Sequence, residues 1–186
     1  MNEPLNFSAA ILTGGRSSRM GTDKALMRIE GVPMALRVAN ALRAAGATDV
    51  VAVGGDVQSL QQLGLRTVPD GAPGEGPLGG ILSAVRAATE SVVVVTACDM
   101  PWIEAAQIVP LVEALAPSQK AVVAASTATG HLQPLHAAWR VEALAELQRI
   151  FDEGERAPRR AIRALAHVTI ELGDGRWSTD LDTPDR

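Results

Sequence analysis

The most chemically suggestive segment of the chain is a long polar loop that follows a short apolar run near the N-terminus. Between Leu12 and Lys24 it carries three glycines, two arginines and two serines. Such a loop offers backbone N–H groups and cations together, as polyphosphate binding requires. The spacing matches neither the Walker motif nor the G-x-G-x-x-G fingerprint. We predict a phosphate-binding loop with Arg19 and Lys24 as its cations; the alternative is a polar connection without a ligand.

Lysine is rare in this protein, which gives Lys24 additional weight. Lys24 and Lys120 are the only lysines among 17 basic residues. A lysine kept where arginine is the usual choice indicates a compact point charge that suits phosphate oxygens, although chance could also place it there.

Two aspartates follow apolar runs that are predicted to be strands. Asp99 comes just after Val92–Ala97, and Asp70 just after Arg66–Val68. A carboxylate at the end of a buried strand is costly unless it finds a cation, a metal or strong donors. We therefore predict that Asp99 binds a metal ion; the alternative is an N-cap of the following helix. The neighbouring Cys98 is expected to be a small core residue.

The elements that must position these residues alternate between aliphatic runs and helical patterns, which predicts an α/β fold with a mostly parallel sheet and helices on both faces. The predicted strands are Ser8–Leu12, Val50–Val53, Arg66–Val68, Val92–Ala97, Ala121–Ala125, Leu135–Trp139, His167–Leu172 and Trp177–Leu181. The predicted helices are Pro33–Ala45, Asp56–Leu63, Leu78–Thr89, Glu104–Ala116, Val141–Asp152 and Pro158–Ala166. Because ligands of open α/β sheets bind outside the carboxyl ends of the strands, the polar loop and the aspartates are expected to meet there.

Composition limits the possible partners. A length of 186 residues fits one domain, which we predict over residues 1–186. A net charge of −4 and 3% aromatic residues argue against a nucleic-acid partner. The sequence shows neither a signal peptide nor an apolar run of membrane-spanning length, which predicts a cytoplasmic protein with no membrane partner. A single cysteine allows no internal disulfide and no cysteine-cluster zinc site.

The same residues resemble the signature of the MobA family, the molybdenum cofactor guanylyltransferases. The segments Leu12–Gly21 and Asp23–Leu26 are similar to that family's first loop, and the similarity continues in order over nearly the whole chain. The later matching segments are Asp70, Gly76–Ile81, Cys98–Pro101, Gln133–Leu135, Gly154–Arg156 with Arg159 and Arg160, and Asp182–Pro184. The resemblance implies a Rossmann-like nucleotidyltransferase fold whose N-terminal part binds GTP and Mg²⁺ and whose C-terminal part binds molybdopterin.

The resemblance also implies roles for individual residues. GTP would contact Leu12, Thr13, Gly14, Gly15, Lys24, Asp70, Asp99, Gly79 and Gly80. Mg²⁺ would bind Asp99 with help from Asp182, and molybdopterin would contact Gln133, His136, Arg156, Arg159 and Arg160. For the arginines the alternative is a solvated helix face. The chain departs from the family where Asp180 and Asp182 replace the usual asparagines, and at Val53-Gly54-Gly55.

The implied reaction is an in-line attack by a terminal phosphate oxygen of molybdopterin on the α-phosphorus of GTP, which expels pyrophosphate. Both reactants are anionic, so Mg²⁺, Lys24 and Arg19 would act by neutralising and aligning them. No general base is needed, because the phosphate nucleophile is already deprotonated near pH 7. Thr13-Gly14-Gly15 resembles the guanylyl type, whereas related cytidylyltransferases usually carry Ala-Ala-Gly.

Two other functions stay open at this point. One is a cytidylyltransferase that acts on molybdopterin or on a sugar or polyol phosphate. The other is a non-catalytic module that binds a nucleotide or the cofactor. Besides GTP and molybdopterin, cofactor-insertion proteins or molybdoenzyme chaperones are expected as partners.

Overall fold

The structure, a computed structural model, describes residues 6–14 and 23–179. Its strands are β1 (Phe7–Leu12), β2 (Arg28–Ile29), β3 (Val32–Pro33), β4 (Ala47–Val53), β5 (Arg66–Val68), β6 (Val92–Ala97), β7 (Val122–Ser126), β8 (Leu132–Arg140) and β9 (His167–Glu171). Seven of them form one sheet in the order β5-β4-β1-β6-β8-β7-β9, and β2 pairs with β3 separately.

All strands of the large sheet except β8 run in one direction. β1 is parallel to β4 and β6, β4 to β5, and β7 to β9. β8 lies antiparallel between β6 and β7. Every residue of β1 and β6 is buried, as expected for aliphatic strands that are covered on both faces. The mostly parallel α/β sheet predicted from the sequence is confirmed.

Helices cover both faces of the sheet. They are α1 (Met34–Ala44), α2 (Val57–Gln62), α3 (Pro77–Ala87), α4 (Ala105–Leu115), α5 (Leu144–Asp152) and α6 (Pro158–Ala164). Val92 and Val94 of β6 belong to the core beneath α1, α2 and α4. Val93 and Val95 belong to the core beneath α3, α5 and α6. This alternation follows the two-residue period of a strand.

The helix starts follow local sequence signals. Asp56 caps α2, where its carboxylate accepts from the N–H groups of Gln58 and Ser59. Glu104 and Gln107 form a capping box at the start of α4. Because Glu104 holds this position, the alternative that Asp99 caps α4 is wrong.

The C-terminal part differs from its prediction. A strand was expected over Trp177–Leu181, but Arg176–Ser178 forms a 3₁₀ turn, and residues from 180 onward lie outside the described range. The turn directs Trp177 inward, where its side chain joins the core with 5% exposure. Burial of this large side chain therefore overrides an extended conformation. Within residues 6–14 and 23–179, no helix combines the length and apolar character that a membrane span needs.

Candidate active site

The site lies where the chain leaves β1 and β6 at the centre of the sheet. After β1 the chain continues to β4 on one side, whereas β6 is followed by β7 and β8 on the other. The N–H of Cys98 donates to the carbonyl of Leu12 at 3.1 Å, so the two strand ends remain joined. This is the point at which the strand order reverses, where open α/β sheets bind ligands.

The start of the first loop is fixed against β4. The N–H groups of Thr13 and Gly14 both donate to the carbonyl of Val53, at 3.0 and 3.1 Å. The Thr13 hydroxyl lies 2.9 and 3.0 Å from the carbonyl oxygens of Val53 and Gly54. These donors are occupied within the protein, so they anchor the start of the loop to β4. Gly15 and Arg19, which were predicted to bind the nucleotide, lie outside the described residues.

Two glycines after β4 allow this close approach. Gly54 and Gly55 have φ values of +73° and +72°, which other residues rarely adopt. A Cβ on Gly54 would lie 3.2 Å from the Cα of Gly14, and one on Gly55 would lie 3.0 Å from the Thr13 hydroxyl. The departure from the family pattern at Val53-Gly54-Gly55 therefore has a packing role.

Lys24 lies in a short turn that follows the first loop. It begins the 3₁₀ turn Lys24–Leu26, which Asp23 caps by accepting from the N–H of Ala25. The second carboxylate oxygen of Asp23 accepts from the N–H of Asp56 at 3.2 Å. These two hydrogen bonds tie the turn to the start of α2 and thereby fix the backbone that carries Lys24.

Electrostatics at Cys98 show that charges from both strand ends converge there. Burial, and to a lesser extent the carboxylates of Asp99 and Asp23, raise the pKa of the Cys98 thiol to about 12, while the Lys24 ammonium opposes this rise. The thiol is therefore protonated near neutral pH and cannot serve as a nucleophile. Its side chain belongs to the core, as the sequence predicted.

The two predicted aspartates occupy different positions. Asp99 is half-buried directly after β6. Asp70 accepts from the N–H of Ala72 at 3.0 Å, and its Cβ would lie 3.5 Å from a Cβ on Gly54. Asp70 therefore closes a turn beside the start of the first loop, whereas Asp99 lines the cleft beyond β6.

The donor chemistry at Asp99 fits a magnesium-type ion. Among the residues with described positions, no group of three or more His, Cys, Asp or Glu side chains could hold a metal. Mg²⁺ needs fewer protein ligands, because it commonly binds one or two carboxylates together with substrate phosphates and water. Asp182, the second predicted ligand, lies in the part of the chain without described positions.

The glycines at the start of α3 have a packing role. A Cβ on Gly79 would lie 2.7 Å from the Cβ of Ala72, and one on Gly80 would lie 3.1 Å from a methyl of Leu12. Both glycines are buried. They let α3 approach the end of β1. Their predicted effect on nucleotide binding would therefore be indirect, through the position of the backbone.

A cleft of about 480 Å³ opens beyond the end of β6. Its lining residues are Ala97, Asp99, Met100, Thr127, Thr129, His131, Leu132, Gln133, Pro134, Leu135, Arg159 and Asp174. Asp99, Gln133 and Arg159 were predicted from the sequence. Nη2 of Arg159 donates to the carbonyl of Leu132 at 3.1 Å, which joins α6 to the first residue of β8.

His136 does not reach the cleft, contrary to its predicted contact with molybdopterin. Its side chain is 0% exposed, with Nδ1 3.0 Å from the Thr96 hydroxyl and Nε2 3.2 Å from the carbonyl of Gln107. Burial lowers the pKa of its imidazole to about 4. His136 is therefore a neutral core residue that links β6, β8 and α4.

Two of the three predicted arginines also point elsewhere. Arg156 pairs with Glu75 at 2.6 Å and lies over the ring of Phe151. Arg160 pairs with Glu155 at 2.5 Å and lines a separate cavity of about 380 Å³. Consecutive helical residues diverge by about 100°, so Arg159 and Arg160 cannot share one face. Of the three, Arg159 alone lines the cleft.

Four polar cleft residues were missed by the sequence analysis: Thr127, Thr129, His131 and Asp174. The first three belong to the turn between β7 and β8. Their position directly after a predicted strand was the available signal. Asp174 follows β9 and had no comparable signal.

Comparison with known proteins places this architecture in a family. The model of the MobA-like NTP transferase domain matches residues 9–169. A probable molybdenum cofactor guanylyltransferase of Chloroflexus aggregans is 35% identical over 190 residues, which cover 96% of this chain and 90% of that protein.

Solved structures share the fold at lower identity. Molybdopterin-guanine dinucleotide biosynthesis protein A of Archaeoglobus fulgidus superposes with a TM-score of 0.71 and 22% identity, over 90% of this chain and 84% of its own. A Mycobacterium tuberculosis protein, solved in complex with manganese, has a TM-score of 0.66 and 14% identity, over 90% and 89% of the two chains. The fold, the extent of the family match and the 35% identical relative together show that this chain belongs to the MobA-like NTP transferase family.

Proposed function

We propose that the protein transfers the GMP part of GTP to the phosphate of a molybdopterin-type cofactor and releases pyrophosphate. The observation that carries the proposal is the position of Asp99, which lines the cleft and directly follows Cys98, the residue whose N–H donates to the last residue of β1. A nucleotide held by the first loop and an acceptor held in the cleft would meet beside this carboxylate. The guanylyltransferase relative supports the choice of substrates.

The two substrates would occupy opposite sides of Asp99. On the donor side, Lys24 would neutralise phosphate oxygens, while Thr13 and Gly54 fix the backbone from which the loop begins. On the acceptor side, Gln133 and Arg159 line the cleft. Bringing two anions together is the main obstacle, so fixed cations and alignment would supply most of the rate enhancement.

We infer that Asp99 holds Mg²⁺ during the reaction. When bound, the ion would neutralise phosphate oxygens on both substrates. The half-buried carboxylate suits a hard cation, and the fold neighbour solved with manganese supports a divalent metal in this architecture. The protonated Cys98 and the buried, neutral His136 do not take part in proton transfer, and none is required for a phosphate nucleophile.

A thermal-shift experiment tests the nucleotide half of the proposal. The protein is melted with Mg²⁺ and each of the four NTPs, and GTP is expected to raise the melting temperature most because ligands stabilise the folded state by mass action. Lys24→Ala should weaken GTP binding roughly tenfold to a hundredfold, the equivalent of about 1.5 to 3 kcal/mol. Lys120→Ala is the matched control, because it removes the other lysine just before β7.

The outcomes separate the remaining functions. A larger shift with CTP would make the protein a cytidylyltransferase. If Lys24→Ala and Lys120→Ala bind GTP with equal affinity, the first loop is a connection that does not bind phosphate. Pyrophosphate release that depends on both GTP and molybdopterin would distinguish an enzyme from a non-catalytic binding module.

A further inference from the structure

The turn between β7 and β8 forms one wall of the cleft, and its shape is fixed from within. The N–H of Thr127 donates to the carbonyl of His131 at 3.0 Å, and the N–H of His131 donates to the Thr127 hydroxyl at 3.2 Å. Gly130, with φ +76°, donates to the carbonyl of Thr127 at 2.9 Å. The turn therefore holds its side chains in place before any ligand arrives.

Two other elements hold the turn from outside. Arg159 of α6 donates to the carbonyl of Leu132 at 3.1 Å. The carboxylate of Asp174, which follows β9, accepts from the N–H of Ala128 at 3.2 Å. The turn is thus fixed at both of its ends, which reduces the ordering cost when a ligand binds.

A chain of side-chain hydrogen bonds ends at His131. The hydroxyls of Thr127 and Thr129 lie 3.0 Å apart, and the Thr129 hydroxyl lies 2.8 Å from Nδ1 of His131. Thr127 is buried. Among the residues that the structure describes, the acceptor for the Thr127 hydroxyl proton is the hydroxyl oxygen of Thr129. If Thr127 donates to Thr129, then Thr129 donates to Nδ1, and Nε2 of His131 carries the ring proton.

We propose that His131 is a specificity-determining residue that donates a hydrogen bond from Nε2 to an oxygen of the acceptor substrate, and that Thr129 fixes the ring for this contact. His131 is exposed and lines the cleft, and it directly precedes Leu132, whose carbonyl accepts from Arg159. The assignment rests on the proposed function, since it requires the acceptor to occupy this cleft. It adds a substrate contact beyond the residues that match the family's motifs.

Steady-state kinetics with GTP and molybdopterin test the assignment. His131→Ala should raise the KM for molybdopterin about three- to tenfold, as expected for the loss of one hydrogen bond, and leave the KM for GTP unchanged. His131→Gln should restore much of the lost affinity, because its amide can place an N–H near the position of Nε2. His131→Asn should not, because its shorter side chain places the amide near Nδ1.

Thr129→Val isolates the positioning step, because valine keeps the shape of threonine but cannot donate to Nδ1. It should raise the KM for molybdopterin by less than His131→Ala and leave kcat with saturating substrates nearly unchanged. His167→Gln is the control, since His167 begins β9 outside the cleft. Melting temperatures of all variants check that the fold is retained.

The possible results separate this assignment from the proposed function. Guanylyl transfer by the wild type with an unchanged molybdopterin KM in His131→Ala overturns the role of His131 alone. Equal KM values for the glutamine and asparagine variants overturn the Nε2 contact. A wild type that transfers no GMP to molybdopterin overturns both proposals.

Discussion

Buried His136 should make the stability of the protein depend on pH between neutrality and pH 5. Burial lowers the pKa of its imidazole from 6.5 to about 4, with a small opposing effect from the Gln107 carbonyl. The unfolded chain therefore takes up the proton first as the pH falls. The stabilisation is fully present above pH 6.5 and is lost progressively toward pH 4. At pH 5 the unfolding free energy is lower by about 2 kcal/mol. The figure follows because each pH unit over which only the unfolded chain is protonated costs about 1.36 kcal/mol.

The assay is urea denaturation at pH 7.5 and pH 5.0, followed by tryptophan fluorescence. The wild type and His136→Gln are compared by their change in unfolding free energy between the two pH values. The variant should lose about 2 kcal/mol less than the wild type, whatever its stability at pH 7.5, because it lacks the titrating ring. His167→Gln, which replaces a half-buried histidine on β9, is measured in parallel as the control for loss of a histidine. Parallel losses in the wild type and His136→Gln would refute this account of the buried imidazole.

The remaining predictions concern Asp99 and the glycines of α3. Asp99→Asn should reduce Mg²⁺-dependent turnover on the order of a hundredfold or more while the metal-free melting temperature stays nearly constant; unfolding of the metal-free variant would instead identify a structural carboxylate. Gly79→Ala should destabilise the protein by about 1 to 3 kcal/mol in urea denaturation, because the new methyl would lie 2.7 Å from Ala72. Gly80→Ala should cost less, since its 3.1 Å neighbour is a movable methyl of Leu12, and the reverse order would contradict this packing.

Much of the fold was predictable because local patterns and tertiary burial agree. Val92–Ala97 is aliphatic except for Thr96 and forms a central strand that is buried on both faces. Glu104 was placed at the start of a helix, and there it caps α4. Trp177 was wrongly placed in a strand because its burial depends on a core assembled from distant segments. Extended and turned conformations of so short a segment cannot be separated by periodicity alone.

The error at His136 has a different cause. Gln133 and His136 were both predicted to contact molybdopterin, but residues three apart in a regular strand point to opposite faces. His136 pairs with Thr96 and points to the face of the sheet that α4 covers. Ala124 of β7 pairs with Ala137 of β8, whereas the next residue, Ala125, pairs with Gln133, so the register between the two strands shifts at this point. This irregularity depends on strand pairing and is not visible in the sequence.

The surroundings of the arginines depend on contacts between distant segments. Arg156 pairs with Glu75, which is 81 residues away in sequence. No spacing rule connects such a pair, so a run of arginines in α6 predicts only that some of them face solvent. The position of Asp99 was easier to infer, because a polar residue after a buried strand must lie at the edge of the sheet.

The antiparallel strand of the large sheet, β8, has a consequence for how this family could diversify. Because β8 runs against its neighbours, its first residues lie at the edge where β6 ends, and a short turn connects it directly to β7. The length and sequence of that turn could change without shifting β1, β4 or the first loop. New acceptors could therefore evolve through surface insertions between Ser126 and Leu132 while the nucleotide half of the protein is inherited intact.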